Sequence, residues 1–103
     1  MSRPEAQIEA HLRSEVTRRR GYALKFAPMG FRGWPDRIVL MPGGRVYFVE
    51  LKAPNGALGA HQRRRIDWLR WAGFHVSVLD SRKAVDEWVR TTLDGCGNDS
   101  SDF

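Results

Sequence analysis

Apolar residues recur at helical spacing at the start of the chain. At 100° per residue Ile8, Leu12 and Val16 fall on one stripe, and Glu5 and Glu9 fall on it with them. The pattern predicts a helix from Arg3 to Arg20, begun at Ser2 or Arg3, with Pro4 tolerated in its first turn and Gly21 breaking it. Tyr22 to Ala27 alternates loosely and predicts a strand, and Pro28 to Gly33, with two glycines, a loop. Two apolar runs, Ile38 to Met41 and Arg45 to Lys52, flank Pro42-Gly43-Gly44, which is the pattern of a β-hairpin. After a loop at Ala53 to Gly56, a second helix is expected from about Leu58 to Ala72, with Gln62, Ile66 and Leu69 inward and Trp68 and Trp71 turned away. Gly73 ends it, His75 to Leu79 reads as a buried strand, and Asp80-Ser81 caps a last helix from Arg82 to about Thr92 with Val85, Trp88 and Val89 inward. Helix, three strands, helix, strand, helix predicts an α/β fold with a mixed sheet of about four strands flanked by helices.

Some polar residues do not fit a purely structural pattern. Carboxylates on the inward stripe of the first helix are costly to bury unless paired or bound to a metal. Glu5 has a simple explanation, because Ser2-x-x-Glu5 fits a capping box. Glu9 lies deeper and does not. In the hairpin Glu50 and Lys52 are two apart and point the same way, and antiparallel pairing brings the start of the partner strand, at Asp36, beside them. Two hard carboxylate ligands suit Mg²⁺, which takes the rest of its shell from water and phosphate. A neighbouring Lys orients a water or stabilises phosphate charge. Val49, next to Glu50, is apolar, so only its backbone carbonyl can serve as a further ligand.

Composition narrows the classes. The chain has 103 residues and fits one small domain. Its single cysteine, Cys96, excludes an intrachain disulfide and suits a reducing cytoplasm, and no apolar run approaches membrane-spanning length. His11, His61 and His75 lack zinc-site spacing. The net charge is +5, and setting aside the three acids from Asp94 onward raises it to +8 for residues 1–93. So basic a body suits nucleic acid. Residues 94–103, rich in Gly, Ser and Asp, are expected to be a disordered acidic tail. Lys25, Arg32, Arg37, Arg63 and Arg64 are candidate phosphate contacts, with solvated surface charge as the alternative.

Pro35-Asp36 followed by Glu50-Leu51-Lys52 resembles the PD-(D/E)XK nuclease signature. With the Gly before Pro-Asp-Arg, Phe48 to Pro54, and Gln62 shortly after, the chain is similar to the VRR-NUC (virus-type replication-repair nuclease) family over roughly Glu5 to Ser81. Trp34 departs from the smaller aliphatic usual there, and Gly59 from the usual Ser or Thr cap. The resemblance implies a restriction-endonuclease-like core and a Mg²⁺- or Mn²⁺-dependent endonuclease. Asp36, Glu50 and a helical Glu, Glu9 in preference to Glu5, would hold the metal; Lys52 would act on the attacking water; and Gln62 would lie beside them. It also implies structured DNA, such as four-way junctions or flaps, in a bacterial or phage-infected cell.

Two other classes compete: a catalytically inactive nucleic-acid-binding module, and a basic DNA-binding regulator reading through the Arg63-Arg64-Arg65 helix. The regulator leaves Glu50 and Lys52 in one strand unexplained. Trp68 and Trp71 are expected either beneath the last helix, through Trp88, or exposed as the interface of a two-fold homodimer.

Overall fold

The hairpin is the centre of the molecule, a computed structural model that describes residues 4–95. β2 (Arg37–Met41) pairs antiparallel with β3 (Arg45–Leu51), Arg37 opposite Val49 and Met41 opposite Arg45. β1 (Tyr22–Lys25) adds antiparallel to the free side of β2, and β4 (His75–Leu79) adds parallel to β3. The strands therefore lie in chain order as a mixed four-stranded sheet. The parallel pair needs a crossover, which α2 (Ala60–Trp71) supplies.

Strand alternation divides the core. Val39, Met41, Tyr47, Val49, Leu51 and Leu79 face α1 (Pro4–Arg18) and α3 (Arg82–Trp88), and Ile8, Leu12, Val16, Val85 and Trp88 close over them. On the opposite face Phe48 and Val76 meet Ile66 and Leu69 of α2. α3 opens on Ser81, whose Oγ accepts from Ala84 N–H (2.9 Å). It runs into a wider terminal turn, Val89–Leu93, in which Asp94 N–H reaches the Val89 carbonyl five residues back (2.9 Å). Arg45 from the start of β3 donates to the Leu93 carbonyl and satisfies that end (3.1 Å).

The expected elements are all present, with corrections. β1 ends at Lys25, before Ala27-Pro28, where proline offers no donor to a ladder. β4 is not buried throughout: it is the sheet edge, and His75 and Val78 are exposed while Val76 and Leu79 are buried. The last helix ends at Trp88 as regular helix, and its tryptophan packs on Tyr47 on the α1 side of the sheet (5.8 Å). It therefore does not cover Trp68 and Trp71. The Ser2 capping box lies outside the described residues, as does the expected tail of residues 94–103 from Cys96 onward, while its first acid, Asp94, is described and held by Arg19. Among the described residues no helix is long and apolar enough to cross a membrane.

Two residues beyond α1, Arg20 sits in the left-handed region (φ 67°), which costs a non-glycine residue about 1 kcal/mol. Next to it Arg19 holds Asp94 by two bonds, Nε to Oδ1 at 2.7 Å and Nη2 to Oδ2 at 3.0 Å, and also binds Glu15. This fork lowers the Asp94 carboxyl below its ordinary range. Asp94→Ala is expected to destabilise the protein by about 1 kcal/mol, the scale of a well-formed partly exposed pair, measured by urea unfolding. Arg20→Gly should raise stability by about 0.5 kcal/mol in the same assay.

Candidate active site

Glu50 follows Val49 in β3, so alternation sends it to the α2 face beside Phe48. It is the buried charged residue of the described chain, 3% exposed, and donors from three elements meet it. Asp36 N–H donates to Oε1 at 3.2 Å, just before β2. Gln62 Nε2 donates to Oε2 at 2.7 Å, from the first turn of α2. Lys52 Nζ stands 3.5 Å from the same oxygen. The Gln62 amide is oriented at its other end, where Oε1 accepts from Gly59 N–H (3.0 Å). Gly59 has no side chain to cap the helix, so Gln62 takes over that end and faces its NH₂ to Glu50.

Asp36 stands beside Glu50. Its Oδ1 accepts from Leu51 N–H at 3.1 Å. Both carboxyls are raised above their ordinary range. For Asp36 burial dominates, opposed by the Leu51 N–H and Arg37, with Glu5 adding repulsion. For Glu50 burial again leads, then repulsion from Asp36, with Lys52 opposing. Asp36, Arg37, Leu51, Lys25, Glu5, Ala6 and Glu9 line a cleft of about 340 Å³.

The sheet also sorts the backbone ligands. Val49 lies within the ladder, between Arg37 on one side and Ser77 on the other, so sheet pairing occupies its backbone; its side chain is fully buried. Leu51 N–H already turns to Asp36 past the end of β2 pairing, while Lys52 N–H bonds Leu79 on the β4 side (3.0 Å). In a strand the N–H and C=O of one residue point the same way. The carbonyl at the open end, beside Asp36 and on the cleft, is therefore that of Leu51. The motif reading passed over it, although its place between Glu50 and Lys52 carries the signal.

The two helical glutamates differ. Glu9 pairs with Arg37 (3.4 Å) and Arg13 (3.7 Å). Glu5 is exposed on the cleft. Arg37 follows Asp36 and so faces α1. Its side chain is 11% exposed, and Nη1 donates to the Asp36 carbonyl at 2.9 Å. It is thus part of the packing between α1 and β2, not of the exposed basic surface. Lys25 reaches the cleft; Arg32, Arg63 and Arg64 are exposed and do not line it. Gly33, at φ 85°, passes so close to α2 that an added Cβ would meet the His61 carbonyl oxygen at 2.5 Å.

Among the described residues no three His, Cys, Asp or Glu side chains gather into a complete metal cage. The donor set nonetheless fits a hard divalent cation: two adjacent carboxylates whose ionised forms are held at a cost, with a strand-end carbonyl beside them. Mg²⁺ characteristically takes one or two carboxylates and completes its shell with water and phosphate.

A family model described as the VRR-NUC domain matches residues 28–83. A protein of Acyrthosiphon pisum secondary endosymbiont phage 1, carrying the name "Putative nuclease p44", is 46% identical over 78 residues, covering 76% of this chain and 84% of that protein. A solved structure described as "VRR_NUC domain" superposes with a TM-score of 0.84 at 28% identity, over 88% of this chain and 99% of that one. The matched span of the family model holds Asp36, Glu50, Lys52 and Gln62, and begins after α1.

A raised carboxyl binds its proton more tightly in the folded than in the unfolded protein. Stability therefore increases as pH falls from neutrality through the raised values, and the gain levels off at the ordinary range near 4. In chelator the melting temperature is expected to rise as pH is lowered from neutrality toward the ordinary carboxylate range, less so in Glu50→Gln, which is neutral throughout. Differential scanning fluorimetry of the two proteins across this range measures the difference.

Proposed function

Because this chain belongs to the VRR-NUC family and is a nuclease acting on DNA, we propose that it cuts phosphodiester bonds of branched DNA at the Asp36, Glu50 and Lys52 corner, with Mg²⁺ or Mn²⁺. The observation that carries this reading is the placement of Asp36, Glu50, Lys52 and Gln62 in one hydrogen-bonded group at the end of the hairpin. Nuclease domains of this type generally use divalent metals. Asp36 and Glu50 would hold the ion, with the Leu51 carbonyl in the backbone role first given to Val49. The ion pairs of Glu9 favour Glu5 as the helical carboxylate. When bound, the ion would supply Lewis-acid polarisation of the scissile phosphate and a more acidic water.

The chain's own groups do the rest. Lys52, 20% exposed at its side chain, holds an attacking water or a phosphate oxygen while Glu50 fixes its ammonium. Water oxygen bonds to phosphorus, the ester P–O bond breaks, and the products are a phosphate monoester and a hydroxyl. Gln62 keeps Glu50 in place and Arg37 holds the Asp36 backbone against α1. Lys25 at the cleft, with Arg32, Arg63 and Arg64 on the open surface, meets the DNA backbone. Branched DNA is favoured because stand-alone members of the family are associated with it. Action in the cytoplasm of a bacterial or phage-infected cell accords with the phage source of the relative. An inactive binding module is the weaker reading, because none of the catalytic positions is substituted.

Asp36→Asn and Glu50→Gln should abolish cleavage of flap and four-way-junction substrates with Mg²⁺ or Mn²⁺ while the circular dichroism spectrum is kept. Wild-type rates in either variant would remove the assigned site. Lys52→Met should lower the turnover rate by roughly 10²-fold or more with metal binding, followed by calorimetry, retained. Glu5→Gln should weaken metal binding. Glu9→Gln should instead lower stability, through loss of its Arg37 pair, and the reverse pattern would return the ligand role to Glu9.

A further inference from the structure

The outward face of α2 carries an aromatic surface that the nuclease chemistry does not use. Trp71 is 82% exposed, Trp68 49% and Phe74 48%. Trp68 stacks on Phe74 (6.4 Å, 26° between planes) and leans on Trp71 (6.5 Å). It also meets Trp34 edge-on (6.2 Å), the residue two before Asp36. The group is therefore a supported plate that runs toward the site, not a scatter of surface side chains.

Its charge determines what it suits. At 100° per residue Arg64 lies between Trp68 and Trp71 on this face, Asp67 flanks Trp71, and Arg65 lies toward the buried side of the helix. Arg65 lies over the Trp34 ring at 5.1 Å, and Arg64 is exposed with no partner among the described residues. Asp67 is the one acid in α2, against Arg63, Arg64, Arg65 and Arg70. A two-fold contact between copies would set the exposed Arg64 beside its own symmetry mate on a helix with a single acid, Asp67, to answer its four arginines. A polyanion with flat bases satisfies both features: phosphates meet the arginines, and bases stack on the indoles. Along the helix axis Trp68 and Trp71 lie about 9 and about 14 Å beyond Gln62, a reach of about three to four nucleotides at stacked spacing.

We propose that Trp68 and Trp71 form a stacking platform for unpaired nucleotides of the DNA substrate. The role rests on the nuclease reading for its purpose. It selects substrates with single-stranded character beside the cleaved bond, such as flaps or opened junctions, and disfavours fully stacked duplex.

The test is binding in chelator, where no cleavage occurs, so a failure of the catalytic assignment does not affect it. A thymidine oligonucleotide and an abasic oligonucleotide of the same length and charge are titrated against the wild type, Trp71→Ala and the Trp68→Ala/Trp71→Ala double variant, followed by anisotropy. The wild type should prefer the thymidine strand by about tenfold or more. Trp71→Ala, at an exposed position that does not threaten folding, should remove much of that preference and leave abasic binding unchanged. Equal binding of the two strands by the wild type would overturn the proposal. So would unchanged thymidine binding in Trp71→Ala accompanied by loss of a dimer in sedimentation, which would assign the plate to a second copy of the chain.

Discussion

Glu50 has almost no contact with solvent, and an isolated buried carboxylate would cost more than a small domain can offset. Three donors make it tolerable: the backbone ahead of β2, the lysine two residues on, and the amide at the start of α2. Each belongs to a different segment. The bonds that solvate this carboxylate therefore also tie the hairpin to the crossover helix, and the chemistry of the corner cannot be separated from the packing of that face. The carboxylate stays raised despite these partners, because burial and Asp36 outweigh Lys52. Structure and reactivity pull against each other at one side chain, and a divalent cation is the natural counterweight.

The sheet keeps two kinds of surface apart. Its α1 and α3 face is a conventional apolar core around Leu12, Val39, Val49 and Val85. Its α2 face is thinner, with Ile66, Leu69 and Val76 as the buried cluster and aromatic rings extending to the surface. The polar machinery sits where the thin face meets the strand ends. The cleft beside it is bounded by Glu5, Ala6 and Glu9 of α1 together with Asp36 and Lys25.

Much of this was readable from residue order. Period-two alternation placed Glu50 and Lys52 together, the hairpin turn brought Asp36 to them, and helical spacing put Gln62 inward. Each of these is a local rule acting over a few residues. What was not readable depended on which neighbour each face met. Glu9 looked like a ligand because it shared a stripe with Leu12, yet Arg37, on the facing strand, engages it. The same alternation that aims Asp36 at the site turns Arg37 to α1, so that pair was legible in principle once α1 was known to cover that face. The edge position of β4 and the side on which α3 lands are properties of topology, and no local pattern distinguishes a central strand such as Arg37–Met41 from an edge one such as His75–Leu79 when both are short apolar runs.

Gly33 carries no functional group, although the connection it belongs to ends at Asp36. Yet its backbone passes so near His61 that any side chain would have to push the first turn of α2 aside. That turn holds the Gln62 amide, and the amide holds Glu50. A saturation scan scored by activity would thus mark this glycine as sharply as the acidic residues themselves. An investigator reading only that map would place a chemically silent position at the heart of catalysis. Intolerance at this site records how close two backbones run, and it separates the residues that act from those that merely leave room.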